Sequence, residues 1–345
     1  MDKPSNILIV RTDRIGDLIL TLPAARIIKK HYPECRVTFL VRDYTRELAL
    51  NNPYIDEVIT LTETGGKFDF FANYNIIRKK NFDAAVTVYP RFSLALLLFM
   101  AGIKKRAGTG YRWYSFLFNK KIYEHRRYGD KHELVHNINL LKSIGIEETV
   151  TEKDVVYGLS PSEENRIKAA EALAEMGIAP DRPMVIFHPG SRGSSVDLPA
   201  AKMKELIKKT SEETGANVLL TGNNEEKEFC AGFALNENIY NACGRFNLGE
   251  LTAVIEKARL LIANSTGPLH IAAALGINVI GFFPKIQGLS PARWAPFTEK
   301  RNIFVPPINC TGCSRKQCEE LDCMNHIDTE LVFETIRSII LKQEN

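Results

Sequence analysis

Residues able to do chemistry gather in short stretches that each follow an apolar run. The first is VRTDRIGDLILTLPAA at residues 10–25, where Arg11, Asp13, Arg14 and Asp17 interrupt an apolar segment that then resumes. Charge set where a core would refuse it suggests that something there needs a carboxylate. Gly16 lets a ligand approach the backbone, and a carboxylate at a helix N-terminus gains about 0.3–1 kcal/mol from the dipole. For an isolated Asp at such a place, a plain helix cap is the commoner outcome. Pro23 either kinks one long helix or starts a new one after Thr21.

The second stretch is LLIANSTGPLHIAAALG, residues 260–276. A strand ends at Asn264, the hydroxyls of Ser265 and Thr266 follow, Gly267 permits close approach, and Pro268 suits a first helical turn. The unpaired N–H groups of such a turn, with the dipole behind them, suit a phosphate, and His270 on the same turn can donate to it. The third stretch, HPGSRGSS at 188–195, offers Ser191 and other N–H and O–H donors, with Arg192 as its cation. The fourth, TGNNEE at 221–226, places Glu225 where an acidic residue can hold ribose hydroxyls or simply cap a helix.

The elements that must position these loops repeat one rhythm through both halves. Apolar runs at 7–10, 37–41, 58–61 and 84–89, then at 184–187, 218–221, 260–263 and 279–283, alternate with segments of helical period. Continuous apolar strands between helices predict parallel sheets covered on both faces, with ligands at the carboxyl ends of the strands. The fold class is therefore α/β, with two domains, 1–155 and 156–345. The seam falls in the polar stretch 147–161, with Ser160 expected to cap the next helix and Pro161 to open it. The last helical pattern, 329–343, is a candidate to pack back on the N-terminal domain.

A length of 345 residues fits two domains of ordinary size. Residues 1–150 hold 24 Lys and Arg against 16 Asp and Glu, a net +8, whereas residues 151–345 hold 21 against 25, a net −4. A basic N-terminal half suits an anionic partner or no more than solvated helix faces. No apolar run approaches the roughly 20 residues needed to cross a bilayer, and no signal peptide opens the chain, so a cytoplasmic location is expected.

Taken together and in order, VRTDRIGDL with TLP, HPGS, NSTGPLH and PARWAP (residues 291–296) resemble the signatures of glycosyltransferase family 9, the ADP-heptose:lipopolysaccharide heptosyltransferases. The resemblance spans about residues 6–300. It implies the GT-B fold, two Rossmann-like domains facing across a cleft, with the acceptor on the first and the nucleotide sugar on the second. It also implies an inverting transfer that needs no metal or other cofactor, moving heptose from ADP-heptose onto lipid A bearing Kdo or onto a partly built core, at the cytoplasmic face of the inner membrane. The family's catalytic carboxylate falls on Asp13, which takes the proton of the acceptor hydroxyl. Ser191, Arg192, Glu225, Ser265, Thr266, Gly267 and His270 fall on the donor side. Arg11, Arg14, Gly16, Arg106 and Arg112 fall on the acceptor side.

The chain departs from the family pattern at two places. Ser265 stands where an Asp is usual, and SVDLP at 195–199 lacks the usual lysine before an aromatic-proline pair. A donor sugar other than heptose is thus a second reading. The same architecture also serves nucleotide-sugar epimerases.

The stretch KKRAGTGYRWY at 104–114 is basic and aromatic, suited to phosphates and lipid head groups, with 94–100 touching a bilayer surface or else forming a buried helix. A membrane-surface or nucleic-acid binder is the non-enzymatic rival, although no nucleic acid is expected as partner. Cys310, Cys313, Cys318 and Cys323 are spaced like no standard zinc ribbon, and structural zinc, reduced thiols and disulfides all stay open. Cys35, Cys230 and Cys243 read as core residues.

Overall fold

The computed structural model describes residues 3–233, 236–309 and 313–342. The chain divides into two compact units, one of residues 1–126 with 133–160 and the other of residues 127–132 with 161–345.

The first unit is built on strands β1 (Asn6–Val10), β2 (Arg36–Val41), β3 (Glu57–Thr60), a small hairpin of β4 (Glu63–Thr64) and β5 (Lys67–Phe68), then β6 (Ala84–Thr87), β7 (Lys105–Thr109) and β8 (Lys120–Ile122). Its main sheet runs β3-β2-β1-β6-β7-β8, parallel throughout. Leu8, Val10, Leu40 and Ala85 lie on one buried layer with Ile77, Leu94, Leu97 and Leu98 from the covering helices. Strands covered on both faces carry few polar side chains, Thr38 and Thr87 being buried exceptions, which is why they read as nearly continuous apolar runs.

The second unit repeats the plan with β9 (Met184–His188), β10 (Asn217–Leu220), β11 (Ile239–Asn241), β12 (Leu260–Asn264), β13 (Asn278–Phe282) and β14 (Arg301–Phe304), ordered β11-β10-β9-β12-β13-β14 and again parallel. Both sheets therefore reverse direction of winding beside their first strand, between β1 and β6 and between β9 and β12. Crevices outside the carboxyl ends at such points are where doubly wound sheets bind ligands. The loops after β1, β9 and β12 all open there.

Two expectations shift and one open choice is resolved. The helix Glu163–Glu175 is capped by Ser162, whose Oγ accepts from Asn165 N at 3.1 Å, so Ser160 and Pro161 lie outside it. Of the two readings left open for Pro23, the chain takes the second: helices Ile15–Ile19 and Pro23–His31 are separate, Pro23 opening the second as its missing N–H permits. The last helix, Thr329–Leu341, packs within the second unit: Val332, Phe333, Ile336 and Ile340 share a core with Met203, Leu206 and Ile207.

Candidate active site

In the first unit the chain leaves β1 with Arg11 almost wholly buried, 2% exposed. Its guanidinium donates from Nε to Asp13 Oδ1 at 2.7 Å and from Nη1 to Asn137 Oδ1 at 3.3 Å, and its Nη2 pairs with Asp17. Glu133 Oε1 stands 3.7 Å from Nη1 and also pairs with Arg126. Neither Asp caps a helix; Arg14 occupies the N-cap of Ile15–Ile19 and its side chain makes no capping bond. Both carboxylates turn to the arginine instead.

Burial of Asp13 raises its pKa to about 6, Arg11 opposing the rise and Asp17 adding to it. Asp17 is raised for the same first reason. Arg11 is held charged by Asp17, Asp13 and Glu133 against the cost of its burial. The Tyr44 hydroxyl donates to the Asp13 carbonyl, fixing the backbone under the carboxylate. The result is an oriented, half-buried carboxylate poised near neutrality, suited to general-base work.

The expected acceptor-side cations separate into two kinds. Arg14 and Arg112 are exposed, and Gly16 is half-buried in its short helix. Arg11 is buried and Arg106 partly so, and both direct donors to partners within the protein. Arg106 donates to the Leu117 carbonyl at 2.9 Å and the Ile103 carbonyl at 2.5 Å and lies 5.1 Å over the Phe99 ring. It is a strut beneath the sheet edge, whereas Arg11 is a positioning residue for Asp13.

In the second unit Asn264 ties two of the loops together. Fully buried, it accepts from Leu198 N at 2.8 Å and donates to the Pro189 carbonyl at 2.6 Å. Ser194 Oγ donates to the Ser265 carbonyl at 3.0 Å, and the Ser191 amide donates to Asp197 at 3.2 Å. The loop at 188–195 is thereby held against the start of the helix Gly267–Ala274. Thr266 is the N-cap of that helix in extended conformation, and its hydroxyl makes no capping bond. The amides of Gly267 and Leu269 fall in the first turn, where no helical carbonyl reaches them.

His270 is 5% exposed, and its Nδ1 meets no hydrogen-bond partner among the described residues. Burial first, then the nearby His132, lowers its pKa to about 3, so it meets an anion as a neutral imidazole. His132 itself is pinned by Nε2 donating to the Ala295 carbonyl at 2.7 Å, which ties the PARWAP segment to this turn.

Arg192 and Glu225 come together as an exposed ion pair at 2.7 Å. Two charged residues at these loops were not singled out from sequence. Glu226, next to Glu225, closes a capping box with Asn223 and lies so near Gly190 that a Cβ there would meet its Oε1 at 1.9 Å. The Asn-x-x-Glu spacing is a capping-box signal that was available. Arg315 donates to the carbonyls of Gly193 at 2.6 Å and Ser195 at 2.7 Å, and no local pattern announces a partner so distant in the chain.

Of the cysteine set, Cys310 lies outside the described residues. Cys318 and Cys323 are buried in the apolar core of the second unit. Among the described residues no three His, Cys, Asp or Glu side chains gather to hold a metal.

The family model for glycosyltransferase family 9 (heptosyltransferase) matches residues 73–324. The chain belongs to that family. An inferred glycosyltransferase of Haemophilus influenzae is 30% identical over 87% of this chain and 89% of its own length. Lipopolysaccharide heptosyltransferase 3 of Escherichia coli K12 is 24% identical over 82% of this chain and 83% of its own. Among solved structures, a glycosyl transferase family 9 protein from Veillonella parvula superposes with a TM-score of 0.83 at 19% identity, covering 98% of each chain. The E. coli ADP-heptose lps heptosyltransferase II does so at 0.79 with 21% identity, over 97% of this chain and 98% of that one. The two-sheet architecture is thus that of GT-B heptosyltransferases, and this family 9 member is a glycosyltransferase.

Proposed function

We propose that this enzyme transfers a sugar with inversion, without a metal, from a nucleoside diphosphate sugar to a lipopolysaccharide inner-core acceptor, lipid A bearing Kdo, at the cytoplasmic face of the inner membrane. The first candidate donor is ADP-heptose. The observation that carries the reading is the Arg11-oriented carboxylate of Asp13, with its pKa near 6, at the switch point of the first sheet.

Asp13 takes the proton of an acceptor hydroxyl as that oxygen attacks the anomeric carbon. Positioned general bases contribute about 10²- to 10⁴-fold. The bond from the anomeric carbon to the diphosphate breaks, and the departing oxygens gain charge. The amides of Gly267 and Leu269, the Thr266 hydroxyl and the His270 ring supply fixed donors for that charge, which need no reorganisation as it develops. Ser191 and Ser265 line the same loops, and the Arg192–Glu225 pair lies beside them, facing the nucleoside.

Support for the donor class comes from the family name, from relatives named as lipopolysaccharide heptosyltransferases, and from a structural neighbour, the E. coli heptosyltransferase WaaC, solved with ADP. Ser265 and the SVDLP segment favour testing other sugars beside heptose. The experiment is transfer to a lipid A–Kdo acceptor from a panel of ADP-, GDP- and UDP-sugars. Release of ADP from ADP-heptose that depends on acceptor supports the reading. Release without acceptor, or none from any donor, defeats it.

A further inference from the structure

The helix Phe92–Met100 breaks the usual rule for a surface helix. Its inner face is filled: Leu94, Leu97 and Leu98 join the sheet core, and Ala95 packs on Tyr114, Leu117 and Phe118. The opposite face, which in a water-exposed helix carries charge, is Phe92, Leu96, Phe99 and Met100, spaced at i, i+4, i+7 and i+8. Phe92 is 42% exposed and Phe99 and Met100 each 50%. The segment packed beside it extends the same surface, with Trp113 74% exposed and stacked on Phe92 at 5.0 Å, and Phe116 66% exposed. Large exposed aromatic residues gathered in one patch mark a place that another apolar body covers.

The charge around the patch indicates which body. Residues 84–123 contain seven Lys and Arg and no Asp or Glu. Of these, Arg91 and Arg112 flank Phe92 and Trp113 in the chain, Lys104 follows the end of the helix, and all three are exposed, as is Lys121. Exposed aromatic and aliphatic tips in a segment whose only charges are cationic match the boundary between acyl chains and anionic head groups. Binding there grows with apolar area inserted and with attraction to anionic lipid. Among the described residues no helix is long and apolar enough to cross a membrane, so attachment by a surface is the available mode.

We infer that the face formed by Phe92, Phe99, Met100, Trp113 and Phe116, with the exposed cations Arg91, Lys104, Arg112 and Lys121, docks on an anionic lipid bilayer. The inference deepens the proposed function, on which it rests, by naming where the enzyme meets the membrane that carries its acceptor. The expectation from sequence that 94–100 touches lipid is thereby divided: Leu94, Leu97 and Leu98 are core, and only the outer stripe is on offer.

The test is flotation of the full-length protein with vesicles of phosphatidylethanolamine and phosphatidylglycerol, and with vesicles of phosphatidylcholine alone, neither substrate being present. The wild type floats with the anionic vesicles and is released by high salt. The Met100→Ser/Trp113→Ser and Lys104→Glu/Lys121→Glu variants, which melt as the wild type does, each bind at least about tenfold more weakly. Equal flotation with phosphatidylcholine, or unchanged binding by both variants, overturns the inference. So does a wild-type dimer that Met100→Ser/Trp113→Ser converts to monomer without altering flotation, since the face is then an interface between copies. Transfer to a de-acylated, soluble acceptor keeps the two readings apart: the surface variants retain it if the transferase reading holds, and its absence in the wild type defeats that reading while leaving flotation to judge the surface.

Discussion

Arg11 Nε lies 2.7 Å from Asp13 Oδ1 while the arginine is 2% exposed, so a carboxylate at the rim of the first sheet is aimed by a cation that solvent does not reach. The same guanidinium holds Asp17 and stands near Glu133. The balance between that arginine and the surrounding burial sets the Asp13 pKa near 6.

The first consequence is a pH dependence of rate. A general base works ionised, so kcat/KM should fall on the acid side with a midpoint near 6, well above the ordinary carboxylate range. A profile of kcat/KM between pH 5 and 8 checks it, and a flat profile would remove Asp13 as the titrating base.

Stability should show the opposite sign at the same residue. A folded-state pKa raised from 3.8 to about 6 means that Asp13 favours folding most below pH 3.8, and that this contribution is lost as pH rises through 6. Asp13→Asn, which cannot ionise, should therefore melt no lower than the wild type at pH 8. Were Asp13 needed to neutralise Arg11, its loss would cost roughly 3–5 kcal/mol, as breaking a buried pair does. Thermal melts of both proteins at pH 8 decide between these.

Arg11→Gln should be the damaging change. Asp13, Asp17 and Glu133 would then share a buried site with Arg126 and Arg14 as nearby cations. The expected loss is about 3–5 kcal/mol at pH 8, or roughly 10 °C in Tm. Loss of the cation pushes the carboxylate pKa values up further, so the deficit should shrink at pH 5.5, where they take up protons. A deficit equal at both pH values would show that Arg11 acts through packing alone.

Thr266→Ala with His270→Ala removes two side-chain donors from the helix turn. Affinity for ADP should drop by about a hundredfold, as loss of hydrogen bonds to a charged group predicts. With the His270 pKa near 3, wild-type affinity should carry no imidazole titration between pH 5.5 and 8. Calorimetric titration with ADP measures both effects.

Much of this was legible in the sequence, because the physics involved is local. Parallel strands buried on both faces announce themselves as apolar runs, and β1, β2, β9 and β12 appear where those runs predict. Strands β7, β8, β11 and β14 do not, because they lie toward the sheet edges with polar residues such as Lys105, Lys120, Asn241 and Arg301. Asp13 stood out as charge after an apolar strand, and the turn at Thr266–His270 as hydroxyl, glycine and histidine at a helix start.

The partners of these groups were not legible. Glu133 and Asn137 reach Arg11 from more than a hundred residues away, so the sequence presented a cation beside a possible acceptor rather than a buried clamp. The partners of Arg106 are close in the chain but are backbone carbonyls, which carry no side-chain signature. Ser162 displaced Ser160 as a cap because its Oγ, two residues on, is the one that accepts from the first-turn amide.

The most direct test of the account is the Asp13→Asn enzyme, compared with wild type for acceptor-dependent release of ADP from ADP-heptose and for binding of the donor itself. Loss of about 10²-fold or more in kcat, with donor affinity within about twofold of wild type, is the result expected of a general base that does not hold the donor. Turnover within a few-fold of wild type would contradict it and place the proton transfer on another residue.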